Sequence, residues 1–321
     1  MTVRLRRGVV ASVGSSRPGA VELSVEVEGE LRSALAYPEL TGPVTAGDVV
    51  VLNTTATSLR LGTGGSDLVV AVERGPDTEI GHDGRVVKAR YTPLQTVVRS
   101  VEETHRDVLE AAEGLAGTPV VAAPLHSMVA PIAAGAKAAG AERVAYVMTD
   151  GAALAGGFSR LIPRLREAGL LDAFITCGQA FGGELEAVTL WSGLLASRVV
   201  SGADVVIVAD GPGNLGTDTT WGVSALASGN ALNAAAALGG RPVAGLRISF
   251  SDERERHRGL SHHSVTILAG VAGPGANVAV PLLEDETQRG VVWDALRTAK
   301  LEERHQLVEV DGRPALEELG R

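Results

Sequence analysis

The sequence predicts an α/β protein: a small N-terminal β-barrel-like domain over residues 1–96, then a mainly parallel α/β sandwich domain over 97–321. Three observations predict it. Strand-like runs dominate up to about residue 98, and beyond it apolar strand runs alternate with helical patterns, as βαβ units require. Glycine supplies 40 of the 321 residues, so much of the backbone turns tightly. Aromatic residues are scarce (3 Trp, 3 Tyr, 4 Phe), which leaves Val, Leu, Ile and Ala to build the core.

The elements follow in order. Val21 to Val27 alternates apolar and polar residues at period 2, the mark of a half-buried strand. Ala46-Gly47-Asp48 is a turn signal ahead of the strand Val49 to Leu52. Leu68 to Glu73 and Arg85 to Ala89 are further strands, and Tyr91 to Gln95 reads as a linker. An amphipathic helix is expected over 97–115, from Val97, Val101, Val108 and Leu109. Strands are then expected at Val120–Ala123, Arg143–Met148, Ala173–Thr176, Val205–Ala209 and Val243–Phe250, with one more at Val265–Ala269. Helices are expected over 128–139, 161–168, 184–197 and 222–238. The chain closes with a helix around Val291 to Leu301 and an edge strand from Gln306 to Val310.

Charge and composition exclude several classes. There are 29 Lys and Arg against 38 Asp and Glu, a net charge of −9, which argues against nucleic acid as a partner, since such binding rests on phosphate neutralisation. No apolar run reaches the ~18 residues of a membrane helix, so no membrane partner is expected. Cys177 is the single cysteine, and the short apolar stretch Val9–Val13 does not make a secretory signal; both fit a reducing cytoplasm.

The chemistry is expected at the carboxyl edge of the parallel sheet, where strand–glycine–helix junctions recur after Met148, Thr176 and Ala209. Gly178 and Gln179 belong to the second junction; Gly211, Gly213, Asn214 and Thr217 belong to the third. Such loops let backbone amides approach an anion. Gly211, Gly213 and Gly216 spell G-x-G-x-x-G, but the acid expected about 20 residues on in a dinucleotide site is missing, and Pro212 removes an amide. A smaller phosphate or carboxylate fits better, with a purely structural turn as the bland alternative.

The densest cluster is Ser251 to Ser264, which carries Arg254, Arg256, Arg258, His262 and His263. The arginines can neutralise an anion. His262 and His263 are candidate acid–base residues; read on a strand they point to opposite faces. His126 and Asp150, each at another strand end, are their candidate catalytic partners, and the set leaves open whether a metal is held. Cys177 is weighed as a nucleophile activated at a helix N-terminus, against a small buried residue. No cofactor is assigned.

The segments Gly47 to Thr55, Leu61 to Gly65, Arg90 to Gln95, Thr149 to Ala152, Gly178 to Ala187, Gly211 to Gly213 and Arg247 to His263 together resemble domain-of-unknown-function family 3866, a group of uncharacterised bacterial proteins. The resemblance spans essentially the whole chain and implies no reaction or cofactor. Three positions depart from it: Ser66-Asp67 stands where an aromatic residue and a histidine are usual, and Asp210 where an apolar residue is usual.

Two functions compete on these residues. One is an enzyme acting on a small anionic metabolite at the sheet edge. The other is a non-catalytic ligand-binding or oligomeric assembly protein, for which a homodimer through helix faces is open.

Overall fold

A computed structural model describes residues 3–61, 64–73, 84–217, 219–313 and 317. The N-terminal strands are β1 (Leu5–Arg17), β2 (Ala20–Val27), β3 (Glu30–Ala36), β4 (Val49–Asn53) and β5 (Asp67–Val72). They close a barrel in the order β1-β2-β3-β5-β4, with β3 and β5 parallel and the remaining pairs antiparallel. The period-2 pattern of β2 places Leu23, Val25 and Val27 inside, against Val10, Val50, Leu52 and Val69. Register shifts along β1, between Val10 and Ser12 and between Val13 and Ser16, bend the long strand around the barrel.

A hairpin of β6 (Val86–Lys88) and β7 (Thr96–Val98) follows. The larger unit contains β8 (Pro119–Ala122), β9 (Val144–Thr149), β10 (Ala173–Cys177), β11 (Leu185–Ala187), β12 (Val205–Asp210), β13 (Arg241–Gly245), a ribbon of β14 (Ile248–Ser249) and β15 (Gly259–Leu260), then β16 (Asn277–Pro281) and β17 (Gln306–Val310). Eight of these form one wholly parallel sheet in the order β11-β10-β9-β12-β8-β13-β16-β17. The main helices are α1 (Val129–Ala138), α2 (Leu161–Glu167), α3 (Leu190–Val199), α4 (Ala227–Ala237), α5 (His262–Thr266) and α6 (Glu286–Thr298).

Alternate strand residues serve opposite faces. Tyr146, Met148 and Ile207 pack with Val129, Ala133, Ile162 and Leu165 of α1 and α2. Val147, Val206 and Val208 pack with Leu194, Ala231 and Leu232 of α3 and α4. The chain leaving β8 therefore enters α1 on one face, while the chain leaving the adjacent, parallel β12 enters α4 on the other. The connections diverge, and a crevice opens between the carboxyl ends of β8 and β12. Open α/β sheets bind ligands at this topological switch point.

Hairpin β6–β7 is tied to the sheet edge by a buried cation. Lys88 has no solvent exposure; its Nζ donates to the Ala187 carbonyl at 2.9 Å and lies 3.4 Å from Glu186 Oε2. Thr176 Oγ1 and the amides of Gly182 and Gly183 donate to the same carboxylate. Burial raises the Glu186 pKa, against the pull of Lys88.

Several expected elements differ. No helix spans 97–115: Thr96–Val98 is a strand, and two short turns of helix follow at Val101–Thr104 and Arg106–Glu110. The helix expected over 184–197 begins later, because Leu185–Ala187 pairs beside β10 and the helix starts at a Thr189–Ser192 capping box. Val243–Phe250 is not one strand; the chain leaves the sheet after Gly245 and re-pairs at Ile248 with β15. The strand expected at Val265–Ala269 is helical: α5 runs directly into a π-helical turn, Ile267–Val271. Among the described residues no helix is long and apolar enough to cross a membrane.

Candidate functional site

The crevice at the switch point holds a cavity of about 310 Å³. One wall is Pro124-Leu125, after β8; another is Asn214 to Thr217, after β12; the third is Arg247, Arg254, Arg256 and His257, from the ribbon segment that follows β13, with His263 of α5.

Each wall is built by hydrogen bonds that the loop sequences provide. Asp210 closes β12 and is buried; Thr149 Oγ1 donates to it at 2.6 Å and the Gly151 amide at 3.1 Å. A Cβ on Gly151 would stand 2.6 Å from that carboxylate, so only glycine allows the approach. Burial raises the Asp210 pKa. Asn214 Nδ2 spans Asp210 Oδ2 at 3.2 Å, the Pro124 carbonyl at 3.3 Å and Ser224 Oγ at 3.3 Å, linking the two divergent loops. Arg247 donates to Asp252 at 2.8 Å, and Arg254 grips the same carboxylate through Nε and Nη2, each at 3.0 Å. These guanidinium bonds hold the Asp252 carboxyl well below the usual carboxylate range. Three guanidinium groups thus line the pocket, Arg247 and Arg254 sharing the Asp252 carboxylate, in a chain whose net charge is −9.

The histidines sit where the ribbon meets α5. Ser261 caps α5, its Oγ accepting the His263 amide, and the same Oγ lies 2.8 Å from Nδ1 of His257. Arg247 Nη1 is 3.3 Å from that Nδ1. The rings of His257, His262 and His263 pack with centroids 4.0 to 5.1 Å apart. One nitrogen from each lies within 4.8 Å of the others, a spacing that can hold a metal ion. Burial, reinforced by the neighbouring arginines and imidazoles, lowers the His257 and His263 pKa values to about 4. Both rings are neutral at pH 7. His263 Nε2 is buried and makes no hydrogen bond.

The structure brings His262, His263, Asn214, Thr217, Arg254 and Arg256 to one crevice or its wall. His263 also lies against the 211–217 loop, 3.4 Å from where a Cβ on Gly216 would be. The other sequence candidates lie elsewhere. His126 is buried behind the sheet edge, with Nδ1 3.1 Å from Tyr146 Oη and Nε2 2.8 Å from Ser159 Oγ. Tyr146 Oη donates to the Asp210 carbonyl at 3.0 Å, which assigns the His126 proton to Nδ1 and makes Nε2 the acceptor from Ser159. Asp150 accepts the Gln179 amide at 2.8 Å, close beside Gly178, whose positive φ of 67° suits glycine. Gln179 Oε1 accepts the Arg90 amide at 3.1 Å. Gly211 packs against the Ala153 carbonyl, and Arg258 lines a separate groove with Phe250 and Asp285. Gly213 faces the opposite side of its loop, a cleft of about 940 Å³ whose walls include Tyr37, Leu40, Asn53, Leu154 and Phe181, between barrel and sheet edge. Of the barrel-tip segment Leu61 to Gly65, Gly62 and Thr63 lie outside the described residues.

No helix begins at Cys177; it ends β10, is buried, and burial pushes its thiol up to about 12. An activated thiolate does not form there.

Sequence reasoning singled out neither His257 nor Arg247 as site residues. His257 lay in the charged run and had a findable signal: a third histidine a few residues ahead of a Ser-His-His step.

No curated protein matches the chain. The family described as protein of unknown function (DUF3866) matches residues 33–321.

Proposed function

The chain belongs to this family of proteins of unknown function, and from that premise we propose that the switch-point pocket binds and transforms a small metabolite carrying a phosphate or carboxylate group. The observation that carries the reading is the lining: three guanidinium groups and two neutral imidazoles around about 310 Å³ at the edge of a parallel sheet. Guanidinium groups bind carboxylate and phosphate through paired, charge-assisted hydrogen bonds. Neutral imidazoles beside such an anion supply a base or a ligand at pH 7.

One observation favours a second reading, a binding protein without turnover. His126 and His257 bond to hydroxyl groups and Arg247 rather than to a carboxylate that would orient a proton relay. Asp150 bonds the Gln179 amide instead. The same proposal keeps a cytoplasmic location, consistent with a single cysteine, and a division between the barrel strands and the parallel sheet, although residue 96 itself starts β7 of the hairpin that Lys88 ties to the sheet edge.

Thermal-shift titration with inorganic phosphate, pyrophosphate and small dicarboxylates tests binding. At least one anion is expected to raise the melting temperature, and Arg254→Ala with Arg256→Ala is expected to abolish that rise. Absence of any anion-dependent shift in the wild type contradicts the reading. Turnover of the stabilising anion class separates the enzyme from the sensor.

A further inference from the structure

We infer that His257, His262 and His263 bind one divalent transition-metal ion of the zinc class, with a coordination position open to the switch-point pocket. Three imidazole nitrogens within 4.8 Å of one another are close to what such an ion requires. Zinc–nitrogen bonds of about 2.0–2.1 Å in a tetrahedral site set the nitrogens roughly 3.4 Å apart. The widest pair must close by only about 1.4 Å, within reach of side-chain rotation. The ligands come from two elements: His257 from the 3-10 turn Glu255–His257, and His262 and His263 from the first turn of α5.

A second observation points the same way. His263 is 8% exposed, faces the pocket, and its Nε2 is buried without a hydrogen bond. An orphaned buried acceptor or donor costs about 1–3 kcal/mol; buried His126, by contrast, has both ring nitrogens bonded. A metal ion supplies the missing partner. Ser261 provides the outer support that ligating histidines need: its Oγ, 2.8 Å from His257 Nδ1, orients that ring, and by accepting the His263 backbone amide it caps the helix that carries the other two. Ser261 and Arg247 both engage His257 Nδ1, which leaves Nε2 as the nitrogen turned to the ion. Nitrogen-only ligation disfavours Mg²⁺ and Ca²⁺, which take oxygen.

Three neutral ligands leave the ion its full double charge, and Arg247, Arg254 and Arg256 stand nearby. Their repulsion weakens the bare ion. An anion bridging the ion and the arginines cancels it, so ion and anion should bind more tightly together than apart. That coupling rests on the anion reading of the pocket; the ion site itself does not.

The test is Co²⁺ binding to the full chain after chelator treatment, followed by visible absorption and by metal analysis after dialysis. One Co²⁺ per chain is expected, with the intense d–d bands of a four- or five-coordinate site, displaced by Zn²⁺. Ser261→Ala is expected to weaken binding about 10–100-fold, and His262→Ala or His263→Gln by more, while His105→Ala, far from the cluster, changes nothing. Because Ser261→Ala and the histidine variants act on different groups, misfolding of one leaves the other informative. Wild-type protein that retains no Co²⁺, or retains it equally in all variants, overturns the site. Inorganic phosphate is expected to tighten Co²⁺ binding. Co²⁺ bound with no phosphate effect keeps the metal site and refutes the anion reading; phosphate bound without Co²⁺ does the reverse.

Discussion

His126 and His263 are buried to nearly the same extent, 9% and 8% exposed, and burial pulls both imidazoles down to about 4. Their surroundings differ in one respect. His126 spends both ring nitrogens on Tyr146 and Ser159, and the chain of bonds continues to the Asp210 carbonyl. His263 leaves Nε2 bare, beside two further imidazoles and an arginine-lined cavity. A perturbed pKa therefore does not separate a structural histidine from a functional one here. On the proposed reading the surroundings do: the closed network of His126 holds the fold, while the unpaired Nε2 of His263, unlike the unpaired Nδ1 of His305, belongs to a three-imidazole cluster beside the arginine-lined cavity.

The largest expected effect falls on the satisfied kind. Lys88→Met leaves the Glu186 carboxylate without its buried cation, and breaking a buried pair costs about 3–5 kcal/mol. Urea unfolding should show that loss, and a change below about 1 kcal/mol would mean that the Gly182, Gly183 and Thr176 bonds alone hold the carboxylate. His126→Ala should cost about 2–4 kcal/mol, through a cavity and the stranded Tyr146 and Ser159 hydroxyls. His263→Ala should cost less by the same measurement, since the cavity term remains but no hydrogen bond of Nε2 is lost. Equal losses at the two sites would erase the distinction.

Acid should act on His126 in a defined direction. The folded protein keeps it neutral down to about 4, whereas the unfolded chain protonates it near 6.5. Between those values the unfolded state binds more protons, so stability falls as pH drops through that window, by about 3 kcal/mol for this group, and is unaffected by it above 6.5. His126→Gln should flatten that part of the wild-type curve of stability against pH; an unchanged slope would put the loss on other groups. The smallest effect on stability belongs to the pocket rim. Arg254→Ala should change unfolding by no more than about 0.5 kcal/mol yet lower anion affinity about tenfold or more by calorimetry, as loss of a charged hydrogen bond implies. A variant that binds as tightly as wild type removes Arg254 from the site.

Much of the fold is legible in the sequence, because strand periodicity and Gly-rich turns are local signals. The alternation of β2 and the apolar runs of β8, β9, β10 and β12 carry the barrel and the parallel sheet. Strand order is not local: nothing in the sequence says that β12 inserts between β9 and β8, and that insertion makes the crevice. The site was legible as a cluster but not as a geometry. Val265 to Ala269 reads as a strand, which would send His262 and His263 to opposite faces. Ser261 is an N-cap, a signal of a helix start, and on α5 the two rings come within 4.0 Å. His126 and Asp150 carry the right chemistry at the ends of the right strands, but their side chains turn to Tyr146 and to the Gln179 amide, which only three-dimensional packing decides.

The most direct test of the switch-point pocket as an anion site is a long-range ¹H–¹⁵N spectrum of the imidazoles, titrated with the anion that stabilises the protein. The account predicts that the His257 and His263 resonances move in a saturable way while those of His126 and His305 stay fixed. Movement of His126 with His257 and His263 unchanged, or no movement at saturating anion, would contradict it.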